Sequence, residues 1–229
     1  MHAAAHTAAS CSVRDRDELL PALEAFGIPV SWHESSMTTS YSFRYEGDCR
    51  IMRQDAVGEP WSVAQSVEAV GDARWVHVGA LTRSDFGADA LEALAHGRTL
   101  LVDGQGLART PALGPLVTDG DVGDLLPYVT ILKLDEDEAA ALAGSSDPDR
   151  IRVLSVPEVI LTLGSRGSFV VTPSQVAHVP AHDIGGAVDP TGAGDTFSAA
   201  YLNARAGGAQ PVEAARAATS VVAEFLTAH

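Results

Sequence analysis

The sequence has few basic side chains and almost no lysine. Fifteen Lys and Arg stand against 30 Asp and Glu, a formal net charge of −15, and Lys133 is the one lysine among 229 residues. Binders of nucleic acid or anionic membranes draw affinity from clustered Lys and Arg, so neither partner is expected. Cysteine is scarce as well. Cys11 and Cys49 lie far apart with no CxxC or Cys/His ligand spacing, which excludes a disulfide framework and reads as free thiols in a reducing compartment. No run approaches the roughly 18 apolar residues of a membrane span. Residues 1–10 lack both the charged start and the Leu-rich stretch of a signal peptide, so a cytoplasmic location is expected. The eight histidines show no metal or triad spacing: His77 sits in an apolar run, and His178 and His182 flank Pro180. Structural or surface roles are expected for them. Ser165 and Ser168 do not form a Gly-x-Ser-x-Gly elbow.

What is present is a composition that folds. With 46% hydrophobic and 20% charged residues the chain can bury a substantial core, and its length fits one domain over 1–229. Helix patterns alternate with short β-branched runs, which argues for α/β. Asp15, with Glu18 three residues on, reads as the cap of a first helix whose apolar stripe is Leu19, Leu20, Leu23 and Phe26, stopped by Gly27. Residues 28–32 read as extended. Over 38–53, Tyr41, Phe43 and Tyr45 alternate with polar residues up to Gly47-Asp48, the pattern of a hairpin with one wet face. The runs at 75–78, 100–102, 129–132 and 159–163 are continuously apolar, as sandwiched parallel strands are, so the hairpin is expected at the periphery. Helices are expected at 62–70, 86–95 and 136–142, a β-rich stretch through 169–172 and 176–179, and two Ala-rich helices, one from about 194 to 204 and one from Pro211 almost to the end.

The most informative segment is Asp189-Pro190-Thr191-Gly192-Ala193-Gly194-Asp195-Thr196-Phe197, between a β-rich region and an amphipathic helix. Glycines permit a tight turn, and consecutive N–H groups at a helix start make a site for a phosphate or another anion. Asp195 is awkward in such a turn unless it works as a base, accepting a proton from a substrate hydroxyl beside the phosphate. Taken alone, Gly-x-Gly-Asp reads first as a helix cap.

The full run resembles the C-terminal signature of the PfkB, or ribokinase-like, carbohydrate kinase family, Asp-Thr-x-Gly-Ala-Gly-Asp followed by a small residue and Phe; Pro190 stands where Thr is usual. Further matches follow the family's order. The segment 159–168 resembles its strand–turn around ATP and implies nucleotide contacts at Thr162, Gly164 and Gly167. The run beginning Lys133-Leu-Asp-Glu-Asp-Glu resembles the stretch carrying Asn-x-x-Glu, implying that Glu138, with Asp135 in place of Asn, organises Mg²⁺ and phosphates; without its neighbours this is an acid-rich first helical turn. The segment 101–109 is similar to a strand end of inositol- and nucleoside-type members, which implies Asp103 and Arg109 near the substrate, a capped strand end with a surface Arg being the alternative. Ala218 falls where relatives contact adenine, and Asp189 and Thr191 match positions of a monovalent-cation (K⁺) site.

The resemblance implies a ribokinase-like α/β fold, a mostly parallel sheet flanked by helices, with 38–53 as a β lid. The lid would cover the substrate, with Thr38 and Thr39 as contacts, or pair two subunits as a homodimer. It further implies an ATP- and Mg²⁺-dependent phosphotransferase acting on an alcohol of a small sugar, polyol or nucleoside. Asp195 would be the base and the Gly192-Ala193-Gly194 turn the anion hole. Relatives begin earlier, with a strand ending in a substrate-binding Asp and a Gly-Gly segment. The chain is therefore expected to lack about 50–60 residues, roughly one βαβ unit plus a strand. A fragment or misplaced start is one explanation, and a truncated, non-catalytic nucleotide- or sugar-binding relative is the other.

Overall fold

Side chains of Ser12, Ser62 and Asp135 cap three helices of this chain, glycines stand at the start of three others, and β-branched or Leu-rich runs make the strands of its main sheet. The computed structural model describes residues 5–46, 49–185 and 189–228. The first elements are β1 (Thr7–Cys11), α1 (Val13–Glu24) and β2 (Val30–Glu34), with β1 and β2 paired in parallel as a two-stranded sheet. The cap of α1 is Ser12, not Asp15: Ser12 has extended backbone, and its Oγ accepts from the Asp15 amide at 3.3 Å. Asp15 is thus the third helical residue and answers the cap. Of the expected stripe only Leu20 is buried, while Phe26 is 76% exposed. Cys11 is a buried free thiol.

The expected hairpin forms from β3 (Ser40–Glu46) and β4 (Cys49–Ala56), paired antiparallel; its turn at 47–48 lies outside the described residues. Next come α2 (Val63–Val70), with Ser62 and Gln65 in a reciprocal capping box, then β5 (Trp75–Val78), α3 (Ala88–Ala95), β6 (Thr99–Asp103) and the short α4 (Gln105–Ala108). The two-residue β7 (Gly114–Pro115) joins β4 and makes the hairpin a three-stranded sheet. Then β8 (Ile131–Leu134), α5 (Glu136–Ala143), β9 (Glu158–Thr162), β10 (Ser168–Val171), β11 (Val176–Val179), α6 (Ala193–Ala206) and α7 (Pro211–Ala228) complete the order. β8 begins two residues later than the apolar run suggests, because a tight turn at Leu126–Tyr128 delivers Val129 to the core before pairing starts.

The main sheet has the order β11-β10-β9-β8-β6-β5, with β5, β6, β8 and β9 parallel and β10 antiparallel to both neighbours. Its two faces sort by alternation along each strand. Leu100, Val102, Leu132, Leu134, Val159 and Leu161 pack with Leu91, Leu94, Ala139 and Leu142 of α3 and α5. Leu101, Ile131, Ile160 and Val170 pack with Phe197, Tyr201, Leu202 and the small stripe Ala214, Ala215, Ala218 of α6 and α7. Apolar side chains on both faces explain why these strands read as unbroken apolar runs.

The same alternation positions the polar groups. On the face covered by α6 and α7, the parallel strands carry His77, Asp103, Lys133 and Thr162 two residues beyond Trp75, Leu101, Ile131 and Ile160. A polar row therefore runs along the C-terminal edge of the sheet, beside the start of α6. In open α/β sheets this edge is where ligands bind.

Candidate active site

Gly192 takes the left-handed conformation, φ 82°, and starts α6, with the Thr196 amide donating to Gly192 O at 2.9 Å as the first helical bond. Ala193 N–H donates to Pro190 O at 3.0 Å, so it is already used. By helix geometry the amides left without an intrahelical acceptor are those of Gly194 and Asp195. Of the three residues expected to supply an anion hole, Ala193 has its N–H committed to the turn through Pro190. Asp195 is exposed at this helix start. Asp189 Oδ1 accepts from both Thr191 N (2.9 Å) and Thr191 Oγ1 (2.7 Å), so the two residues expected at a cation form a local turn with each other.

Lys133 is the residue that sequence reasoning passed over. A methyl group on Gly194 would lie 2.9 Å from the Lys133 Nζ, which places the ammonium of the one lysine at the N-terminus of α6. Asp103 and Lys133 are register partners on β6 and β8. Their being adjacent to the glycine turn is a tertiary fact: the lysine is 61 positions from Gly194 in sequence.

Asp103 does not face open space. It is 1% exposed, Oδ1 accepts from Ser198 Oγ of α6 at 2.7 Å, and Oδ2 meets His77 Nε2 at 2.5 Å. Both oxygens, which the resemblance places near the substrate, thus have partners inside the protein. Burial pushes its carboxyl up, but the His77 hydrogen bond and charge, followed by Lys133 and Ser198, outweigh it and hold Asp103 below the usual carboxylate range. His77 thus has a carboxylate partner 26 residues away that spacing along the chain could not reveal.

Asp135 and Glu138 form a reciprocal capping box at α5. Asp135 Oδ1 accepts from Glu138 N at 2.7 Å, and Glu138 Oε2 accepts from Asp135 N at 2.9 Å. Asp135 Oδ2 and Glu138 Oε1 lie outside the box. Glu138 Oε2 stands against Gly104, at 2.8 Å from where a Cβ there would sit. Burial first, and the Asp135 charge second, push the Glu138 carboxyl up to about 7. In the unfolded chain it ionises near its ordinary 4.5, so between those values the folded state holds the proton more tightly. Stability is then highest below 4.5, falls as pH rises towards 7, and is level above. Glu138→Gln, which keeps an acceptor for Asp135 N, should flatten that slope and leave the variant more stable than wild type at pH 8 by about 2 kcal/mol. Urea unfolding at pH 5 and pH 8 checks this; equal slopes for the two proteins would count against it.

Thr162 Oγ1 donates to Leu134 O at 3.0 Å. Gly164, φ 59°, has nothing within 4 Å of an added Cβ and stands open. Gly167, φ 90°, is instead packed against the chain leaving β11, where a Cβ would meet Val179 O at 2.1 Å; its glycine serves a backbone-to-backbone approach. Ala218, expected against adenine, is fully buried between α6 and the sheet, because α7 turns its small stripe inward. Thr38 Oγ1 donates to Asp15 Oδ2 at 2.5 Å and Thr39 Oγ1 accepts from Gly58 N at 2.8 Å. Both hydroxyls are engaged in hydrogen bonds within the protein at the base of the hairpin. The Arg109 guanidinium lies over the Tyr41 ring, 5.1 Å from its centroid, and Tyr41 OH donates to Leu81 O at 2.7 Å. Arg109 thus helps join the hairpin to the loops at the sheet's C-terminal edge.

Among the described residues no three His, Cys, Asp or Glu side chains group as a metal cage, and no helix is long and apolar enough to cross a membrane. A profile of the pfkB family carbohydrate kinases matches residues 5–229. The ribokinase of Staphylococcus aureus (strain COL) is 28% identical over 103 residues, which are 41% of this chain and 34% of that protein. The match thus spans about a third of that relative's length. Among solved structures, a pyrophosphate-dependent kinase of the ribokinase family superposes with a TM-score of 0.86 at 24% identity, covering 98% of this chain and 81% of the other. The ribokinase of Arabidopsis thaliana, complexed with ribose and ATP, gives a TM-score of 0.70 at 20% identity, covering 96% and 74%.

Proposed function

Since the chain belongs to the pfkB family of carbohydrate kinases, we propose that it transfers a phosphoryl group to an alcohol of a small sugar, polyol or nucleoside at the N-terminus of α6. The observation that carries this reading is the convergence of Asp195, the Gly194 and Asp195 amides and the Lys133 ammonium at one helix start. In that arrangement Asp195 accepts the proton of the attacking hydroxyl, while the amides, the helix dipole and Lys133 balance charge on the transferred group. Phosphoryl transfer asks little covalent work of a protein and much positioning, which a rigid helix end supplies.

Magnesium fits the carboxylates present. It is held by one or two carboxylates together with substrate phosphates and water, and the second oxygens of Asp135 and Glu138, which the capping box does not use, match that demand. When bound, the ion supplies charge neutralisation at the phosphates.

ATP is the donor implied by the family resemblance. Pyrophosphate is the second donor reading, favoured by the enclosure of Ala218, which removes the expected adenine contact, and by a lysine at the helix start that needs only phosphate oxygens. A coupled assay with either donor across sugars, polyols and nucleosides tests both. Turnover with pyrophosphate alone selects the second, turnover with ATP the first, and donor binding by calorimetry without turnover would replace the kinase with a non-catalytic binding relative.

Gly194→Ala probes the lysine without disturbing the fold. The new methyl meets the flexible end of Lys133, not backbone, so stability should hold while kcat drops about 10- to 100-fold as the ammonium is displaced. An unchanged kcat would remove Lys133 from the transfer step.

A further inference from the structure

Helix α6 is seated on the sheet by two buried polar contacts in addition to apolar packing. In its second half Tyr201 OH donates to Glu158 Oε1 at 2.6 Å, and Arg205 grips the same carboxylate through Nε and Nη2, each at 3.1 Å. Nearer its start, Ser198 Oγ donates to Asp103 Oδ1, whose other oxygen is held by His77. Ser198 is completely buried and follows Asp195 by three residues, so the two share one side of the helix.

Apolar burial is non-directional. A helix held only by Phe197, Tyr201 and Leu202 could shift or rotate by a fraction of an ångström at little cost. Hydrogen bonds at two points along its length remove that freedom. Burying the Asp103 charge is expensive, and an apolar pair of similar size would commonly stabilise the fold as well or better. Its cost is understandable if the position of α6 matters for more than stability. The neighbours fit that view: Lys133, the register partner of Asp103, faces the same helix start.

We propose that Asp103 is a positioning residue: held by His77 and gripping Ser198, it sets the height and rotation of the first turns of α6, and so where Asp195 stands relative to Lys133. The assignment rests on the phosphotransferase reading above. It differs from a substrate contact, since Asp103 touches nothing that reacts.

Steady-state kinetics test it. Asp103→Asn and Ser198→Ala should each lower kcat by about 10- to 100-fold, with both KM values held within about twofold, as expected when reacting groups are displaced and binding is not. Tyr201→Phe, which cuts the distant anchor, should lower Tm without that loss of kcat. In an Asp195→Asn background, Asp103→Asn should change the residual rate by less than about twofold, because both substitutions remove the same contribution. A full kcat in Asp103→Asn, a loss expressed in KM, or an equal loss in both backgrounds overturns the assignment. Should the wild type turn over no acceptor with either donor, the kinase reading falls, and amide exchange decides the anchoring by itself. Exchange at Thr196, Phe197 and Ser198 in Asp103→Asn should then accelerate at least about tenfold relative to α7. Unaltered exchange would overturn it.

Discussion

Asp195→Asn is expected to reduce kcat by about 10²- to 10⁴-fold, the range for removing a positioned general base. The substitution keeps the shape of the side chain and the N-terminal turn of α6, where the Thr196-to-Gly192 bond and the left-handed Gly192 set the backbone. Asp195 is exposed, so Tm should change little. Losing the carboxylate beside two helix amides and Lys133 also removes a negative charge from an anion site, and donor affinity should hold or rise while turnover collapses. This pairing of tighter binding with lost turnover separates a base from a cap. If Asp195 only capped α6, the variant would lose stability and keep its rate.

The largest effect on stability is expected at Gly167. Gly167→Ala should destabilise the fold by about 3–5 kcal/mol, combining a strained backbone with an overlap that cannot relax. Its φ of 90° is accessible mainly to glycine, and the new Cβ would stand 2.1 Å from Val179 O and 2.7 Å from Ala181 N, both backbone atoms. Gly164→Ala is the matched control. At φ 59° with open space around it, alanine should cost about 1–2 kcal/mol, the ordinary penalty of a left-handed residue. Urea unfolding of both variants measures the difference; similar midpoints would show that Gly167 tolerates a side chain and is not the close-packing glycine of the β9–β10 turn.

Much of the architecture was legible in the residues because strand and helix periods are local properties. β5 and β11 fall at the positions their apolar runs indicate, and α5, α6 and α7 start within a residue of their expected boundaries. The cap of α1 falls at Ser12 and not at the expected Asp15 because both are good caps three residues apart, and only the extended backbone at Ser12 decides between them. The glycine turn was legible for the same reason as the strands: consecutive residues make it. The third strand of the small antiparallel sheet was not, since two residues of β7 carry no periodicity and become a strand only by meeting β4.

The sequence by itself determined the α/β order, the strands that would be sandwiched, the acidic balance and the glycine turn ending in Asp195. Each is written in neighbouring residues or in composition. Tertiary structure decided which distant side chains share that turn. It brought Lys133 to Gly194, turned Asp103 inward onto Ser198 and His77, and enclosed Ala218. The physical reason is that strand pairing and the seating of α6, not separation along the chain, set which residues meet at the C-terminal edge of the sheet: β8 pairs with β6 and β9, and the start of α6 lies beside the polar end of β8. A charge of −15 with one lysine first reads as a chain unsuited to nucleic acid or anionic membranes; in the fold that lysine stands at the start of α6, where phosphoryl transfer is proposed.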